Sequence, residues 1–195
     1  MKPRCVITGS SYGLGLALVN RFKDDFDVIE YDKELGQDLN LPEVRDQLIE
    51  DLRTCAIFFN NSQPHQLELL ERAHQLQNDL VIVVSGTTVG FYSLLPLDLA
   101  NDERYLNYAN QKIQLQERCR QLQDLQSQGT GTRSWLLNLR MNWLDTVDNQ
   151  DRTEDKMDPG DVAGLVYNLL GLWPRIAVQE IVLVAPFRPF LTTDV

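Results

Sequence analysis

The sequence predicts an α/β domain: a doubly wound parallel sheet with helices on both faces. Three observations carry that prediction. Short apolar runs alternate with helical patterns along the chain, as in sheets built from strand, crossover helix and strand. The strongest run, Leu80-Val81-Ile82-Val83-Val84, is unbroken, as expected of a strand buried on both faces. The first run meets a glycine-rich turn that opens a helix.

The elements follow in order. Residues 5–8 form the first strand, and Gly9, Gly13 and Gly15 mark the turn. Leu14, Ala17, Leu18 and Phe22 then share one helical face. Asp27-Val28-Ile29-Glu30-Tyr31-Asp32 is a second strand ending in an acid, followed by the turn-like Gly36-Gln37-Asp38-Leu39-Asn40. A helix over 41–52 has Pro42 near its first turn. Residues 54–61 read as a buried strand capped by Asn60 and Asn61, and 63–77 as a helix with Leu67, Leu70, Ala73 and Leu76 in register.

After the central strand, which ends at Ser85-Gly86, residues 87–103 are predicted to be an irregular loop able to cover a site. A long helix over 104–126 carries Tyr105, Tyr108, Lys112, Leu115, Cys119 and Leu122 along one side. A strand at 135–139, a polar, acid-rich connection over 141–158, a helix at 161–170 stopped by Gly171 and a strand at 180–184 complete the pattern. With no internal repeat or composition break, residues 1–195 read as one domain.

Composition narrows the partners. A net charge of −10 argues against a nucleic-acid backbone or an anionic membrane, both of which attract basic surfaces. No apolar run approaches the length of a membrane span. Cys5, Cys55 and Cys119 are odd in number and widely spaced, so neither a disulfide framework nor a zinc site is expected, and a reducing compartment fits. The first residues enter a strand at once and leave no room for a signal peptide, which makes the cytoplasm the expected location. His65 and His74 have no convergent ligand set, so no metal is expected. Trp135, Trp143 and Trp173 read as core or pocket-rim packing.

The chemistry begins at the turn. The first N–H groups of a helix lack intrahelical partners and the helix dipole favours an anion there, so the turn suits a pyrophosphate, with glycines letting the backbone approach closely. The spacing is Gly-x-x-x-Gly-x-Gly, and the Gly-Lys-Ser/Thr of ATPase phosphate loops is absent. Asp32 lies 23 residues after Gly9, where a second strand ends beside the adenosine ribose. A carboxylate there accepts from both ribose hydroxyls and repels a 2′-phosphate, favouring NAD(H). Lys33 follows immediately and weakens the preference, which leaves NADP(H) open.

Ser85 ends the central strand at the carboxyl edge, where open α/β sheets bind ligands, and its hydroxyl can donate to a carbonyl oxygen. Tyr108 and Lys112 are four apart, on one face of a helix. A phenol of pKa about 10 is a poor acid or base near neutrality, and a neighbouring ammonium brings it closer to service.

With these residues placed, the chain resembles the short-chain dehydrogenase/reductase family over nearly its whole length. The features come in family order: Thr8-Gly9-Ser10-Ser11-Tyr12-Gly13-Leu14-Gly15, Asp32, Asp38-Leu39, Asn60-Asn61-Ser62, Ser85, Tyr108-Ala109-Asn110-Gln111-Lys112, Asn142-Trp143-Leu144-Asp145-Thr146 and Asp158-Pro159-Gly160-Asp161-Val162-Ala163. The resemblance implies a Rossmann-like, NAD(P)-binding fold, shortened relative to the family. It also implies hydride transfer between a nicotinamide cofactor and a small carbonyl or alcohol substrate. Tyr108 would donate or accept the proton, Lys112 would bind the nicotinamide ribose and lower the pKa of Tyr108, and Ser85 would polarise the carbonyl. Gly9, Ser11, Tyr12, Gly13, Leu14, Gly15, Asp32, Asp38, Leu39, Asn60, Asn61, Ser62, Leu144 and Thr146, with Tyr108 and Lys112, would line the dinucleotide.

The departures are a crossover helix missing after the second strand, no counterpart of the family's helix asparagine, and Met141-Asn142 in place of Pro-Gly. They keep open a second reading, a catalytically silent dinucleotide-binding sensor or interaction protein. The resemblance further implies a homodimer through the helix beginning near Arg104, although a solvated helix accounts for its charges equally well.

Overall fold

Strand β1 (Arg4–Thr8) occupies the second position of the sheet, its Cys5, Val6 and Ile7 fully buried. On one side it pairs in parallel with β2 (Asp27–Tyr31) and on the other with β3 (Ile57–Asn60). The sheet continues through β4 (Val81–Thr87), β5 (Trp135–Met141) and β6 (Glu180–Leu183), all parallel, in the order β2-β1-β3-β4-β5-β6. The computed structural model describes residues 1–63, 65–76, 78–87, 103–129, 134–141, 156–173, 175–176 and 178–183.

Side chains alternate faces along a strand, so each central strand feeds two cores. Ile57, Phe59, Val81 and Val83 meet α1 (Gly13–Phe22) and α5 (Pro159–Leu170) through Leu14, Leu18, Phe22, Val162, Ala163 and Val166. Phe58, Ile82 and Val84 point the other way. They meet Leu48 and Leu52 of α2 (Pro42–Leu52), Leu69 and Leu70 of α3 (Gln66–His74), and Leu115 and Cys119 of α4 (Glu103–Ser127). This two-sided burial is the reason the strand sequences are apolar throughout rather than alternating.

The winding direction reverses at β1. The chain passes from β1 to β2 through α1, then returns across β1 to β3 through α2. The carboxyl ends of β1 and β3 therefore diverge, which is where such sheets open a crevice for ligands. The sequence predicts that a crossover helix is missing after β2, and only a 3₁₀ turn over Lys33–Leu35 lies between β2 and Asp38; α2, also expected, then crosses directly to β3. The sheet edge is shortened with it, since β2 has no strand beyond it, whereas the commoner order places one there.

Local differences have local causes. Asp32 caps a single 3₁₀ turn (Lys33–Leu35) by accepting from Glu34 N at 3.0 Å. α3 is shorter than its apolar register predicts because His65, at φ +72°, turns the chain immediately before Gln66. α5 starts two residues before the predicted position, at Pro159, since Asp158 caps it by accepting from Gly160 N at 2.6 Å. Gly171 follows that helix with right-handed geometry, so its position and not a left-handed turn marks the end. Cys5, Cys55 and Cys119 are free and buried, and burial first of all pushes their thiols up, to about 12, 11 and 12. Trp135 and Trp173 pack together with ring centroids 4.8 Å apart.

Candidate functional site

The glycine turn is shaped by absent side chains. Gly9 and Gly13 have φ of +66° and +52°, a region that L side chains rarely adopt. At Gly15 an added Cβ would lie 1.8 Å from the carbonyl oxygen of Gly9, so only glycine lets α1 start this close to β1. Tyr12 at the helix start provides no side-chain cap, and no acidic residue lies in the first turn. Two hydroxyls beside it, Ser10 Oγ and Ser11 Oγ, are buried without a hydrogen-bond partner among the described residues. Open helical N–H groups, the positive dipole end and two buried hydroxyl donors together fit an anion such as a phosphate.

The turn is tied to both neighbouring strand ends. Gly9 N donates to Tyr31 O at 2.9 Å, and Ser11 N donates to Asp32 Oδ2 at 3.2 Å. Asp32 therefore stands directly against the glycine turn, as its place after β2 predicts. Fully buried Thr8 bridges to β3: its Oγ1 accepts from Asn61 N at 2.8 Å and Ser62 N at 2.9 Å and donates to Phe59 O at 3.2 Å. Asn61 and Ser62 thus line the opposite wall of the turn, each within 3.3 Å of where a Gly9 Cβ would sit. Leu14 and Asn61 also share a small apolar cavity with Ser85 and Leu139, which links the start of α1 to the end of β4.

Asp38 and Leu39 sit differently. The carboxylate of Asp38 accepts from Asn40 N at 2.9 Å, and the Leu39 side chain is buried in the core beneath α2. The Leu39 backbone carbonyl accepts from Arg45 Nη1 at 2.7 Å. Tyr12 is 62% exposed and lies at the outer rim.

At the end of β4, side chains from three elements converge. Lys112, on α4, is only 5% exposed and donates from Nζ to Gln66 Oε1 at 2.6 Å and to Ser85 O at 2.9 Å. Gln66 donates from Nε2 to Asn60 O at 2.6 Å and to both O and Oγ of Ser85 at 3.3 Å. Asn60 in turn donates from Nδ2 to Gln66 O at 2.7 Å. Ser85 Oγ lies 3.5 Å from the carbonyl oxygens of Asn60 and Asn61. Burial pushes the Lys112 ammonium down to about 8, against a small opposing effect from Cys119. Its Nζ stands 5.7 Å from the Tyr108 ring centre, close enough for the charge to act on the half-buried phenol.

Gln66 is the residue that sequence reasoning misses. One signal is present: Gln66, Leu69, Leu70, Ala73 and His74 are the buried residues of α3, so an amide opens a stripe that is apolar up to His74 at its end. Asn142, Leu144 and Thr146, and the loop over 88–102, lie outside the described residues. Among the described residues, no group of three or more His, Cys, Asp or Glu side chains is placed to hold a metal ion, and no helix is long and apolar enough to cross a membrane.

Comparison with known proteins bears on the fold alone. No family model and no curated protein matches the sequence. Solved structures do match. BdcA in complex with NADPH is 16% identical, with a TM-score of 0.69, covering 95% of this chain and 94% of that one. The 3-alpha-hydroxysteroid dehydrogenase of a Pseudomonas species, complexed with NADH, is 18% identical, with a TM-score of 0.66, covering 92% of this chain and 94% of that one. A short chain dehydrogenase from Burkholderia cenocepacia in complex with NADP is 17% identical, with a TM-score of 0.67, covering 94% and 96%. Six parallel strands, two helical layers and these likenesses give the conclusion that the chain has the Rossmann-like fold of the short-chain dehydrogenases and reductases.

Proposed function

We propose that this protein is an NAD(P)(H)-dependent oxidoreductase that transfers a hydride between a nicotinamide cofactor and a small carbonyl or alcohol substrate. The observation that carries the reading is the meeting of Lys112 and Ser85 at the carboxyl end of β4. That end shares a cavity with Leu14 at the start of α1, where the helix is open to an anion. The solved structures that share the fold and hold NADPH, NADH or NADP add support.

The residues fit the cofactor. Gly9, Gly13 and Gly15 let the turn close tightly onto the start of α1, where a pyrophosphate would meet open N–H groups, and Ser10 and Ser11 carry hydroxyls with donors to spare. Asp32 at the end of β2 suits the adenosine ribose and favours NAD(H) by repelling a 2′-phosphate. When bound, the nicotinamide supplies the hydride chemistry.

Tyr108 then gives its phenolic proton to the carbonyl oxygen in reduction and removes the hydroxyl proton in the reverse direction. The Lys112 ammonium favours the phenolate and lowers the cost of that transfer. The Ser85 hydroxyl donates to the same carbonyl oxygen. Ser85 Oγ accepts from Gln66 Nε2, and its own proton, directed here at the carbonyl oxygens of Asn60 and Asn61 at 3.5 Å, would turn from them toward substrate. The reading takes residues 1–195 as one dinucleotide-binding domain, cytoplasmic, paired with a second copy through α4.

The test is a titration of the purified protein with NADH and NADPH, followed by nicotinamide fluorescence, with Gly13→Asp as the control. Binding to the wild type and at least a tenfold loss in Gly13→Asp are expected, since a carboxylate there faces the phosphates. A carbonyl and alcohol panel then compares the wild type with Tyr108→Phe. Turnover lost in Tyr108→Phe supports the enzyme, and binding without turnover identifies a silent dinucleotide-binding protein. Absence of binding at millimolar cofactor ends the functional reading.

A further inference from the structure

Lys112 presents a physical problem: an ammonium on a helix that packs against the sheet is 95% removed from water. A buried charge of this kind persists only where other groups take over its hydrogen bonds. Ser85 O takes one N–H and Gln66 Oε1 takes another, at the shorter distance of 2.6 Å. The orientation of the Gln66 amide is dictated by its surroundings. Its NH₂ faces the carbonyls of Asn60 and Ser85 and its oxygen faces an ammonium, and the flipped amide would set donor against donor and acceptor against acceptor.

We propose that Gln66 is the positioning residue of this site, its amide locking the Lys112 ammonium and the Ser85 hydroxyl into one fixed relation. The proposal deepens the oxidoreductase reading above and rests on it for the roles of Lys112 and Ser85. A single side chain serves both groups: Oε1 accepts from Lys112, while Nε2 donates to Ser85 Oγ at 3.3 Å, whose own proton points at the carbonyls of Asn60 and Asn61. Gln66 is itself held from below, since its backbone carbonyl accepts from Asn60 Nδ2 at 2.7 Å and its Nε2 returns to Asn60 O. The clamp is thus anchored to the end of β3, next to the strand that carries Ser85.

A recess of about 140 Å³ between α3 and α4 is walled by Gln63, His65, Gln66, Gln111 and Lys112. Gln66 and Lys112 thus border the recess side by side. Among the described residues, the titratable and charged groups around Lys112 are few. Tyr108 and Cys119 lie on its own helix. His65, paired with Glu68, comes from the α3 side, and Glu180, with Arg140, from β5 and β6, reaches Cys119. None of these replaces the bond that Gln66 makes.

The experiment follows Lys112 directly and needs no cofactor. The chain has five lysines, so a carbon-13 label at lysine Cε gives a resolvable set, with the Lys112 signal assigned by its loss in Lys112→Arg. In the wild type its midpoint is expected near 8. Gln66→Glu places a carboxylate against the ammonium and is expected to raise the midpoint by about one pH unit or more. Gln66→Met keeps the volume, removes the acceptor and is expected to lower it by about one unit. A residue that only filled space would not move the midpoint in opposite directions. If Gln66→Met does not fold, the upward shift in Gln66→Glu alone decides. Midpoints within about 0.3 unit of the wild type in the folded variants would overturn the proposal. NADH binding by the wild type is measured in parallel, and its absence sinks the oxidoreductase reading while leaving the clamp to the titration.

Discussion

At the end of β1 the site is formed by the lack of side chains, and at the end of β4 by side chains reaching in from two helices. The glycine turn needs three residues without Cβ within seven positions, because Gly15 must pass under the Gly9 carbonyl and two neighbours take left-handed backbone. The node at Ser85 needs Gln66 and Lys112, which are 46 residues apart in sequence and bonded at 2.6 Å. The difference teaches how each half fails. A local device breaks sterically when a methyl group is added, whereas a convergent one loses its electrostatics when one partner is removed.

Four experiments sharpen that contrast. The largest effect is expected for Gly15→Ala, where the new Cβ meets backbone rather than a movable side chain. Unfolding by urea should show a loss of about 4 kcal/mol or more, or no folded protein at all. A loss below about 1 kcal/mol would mean that the turn relaxes and is not sterically locked.

Lys112→Met probes the other half through pH. Burial holds the Lys112 pKa near 8 against an ordinary value of 10.5. Between these values the unfolded chain keeps a proton that the folded chain has released, so stability contributed through Lys112 rises with pH in that window. Cys5, Cys55, Cys119 and Tyr31 are shifted upward and act in the opposite sense at alkaline pH, so the readout is the difference between two proteins. From pH 7 to 10.5 the wild type should gain about 3 kcal/mol relative to Lys112→Met. A constant difference would show that the ammonium carries no burial penalty.

Thr8→Val tests the seam between the β1 and β3 ends. The buried hydroxyl serves Asn61 N, Ser62 N and Phe59 O, and its loss should cost about 2 kcal/mol by thermal or chemical unfolding. It should also weaken NADH binding, since Asn61 and Ser62 wall the turn. The smallest effect is expected for Asp32→Asn, which keeps one acceptor for Ser11 N or Glu34 N and removes the negative charge. The NADPH-to-NADH affinity ratio should rise about tenfold, equivalent to about 1.4 kcal/mol. An unchanged ratio would remove Asp32 from cofactor choice.

Much of this protein is written locally in its sequence. Apolar runs such as Leu80-Val81-Ile82-Val83-Val84 determine strands, because an unbroken run satisfies burial on both faces at once. Gly9, Gly13 and Gly15 determine the turn, because steric exclusion acts between near neighbours. Tyr108 and Lys112 share a helical side because the helix repeat places them there. Tertiary structure alone decided the rest. That α2 crosses back to β3 and leaves β2 at the edge depends on pairing between distant strands. That Gln66, and not one of its neighbouring glutamines, meets Lys112 depends on the packing of α3 against α4 and on the left-handed turn at His65. A hydrogen bond between residues far apart leaves no period and no spacing in the chain. Its one trace was an amide on the buried apolar stripe of α3, where the cost of burying a polar group demands a partner that only the folded chain supplies.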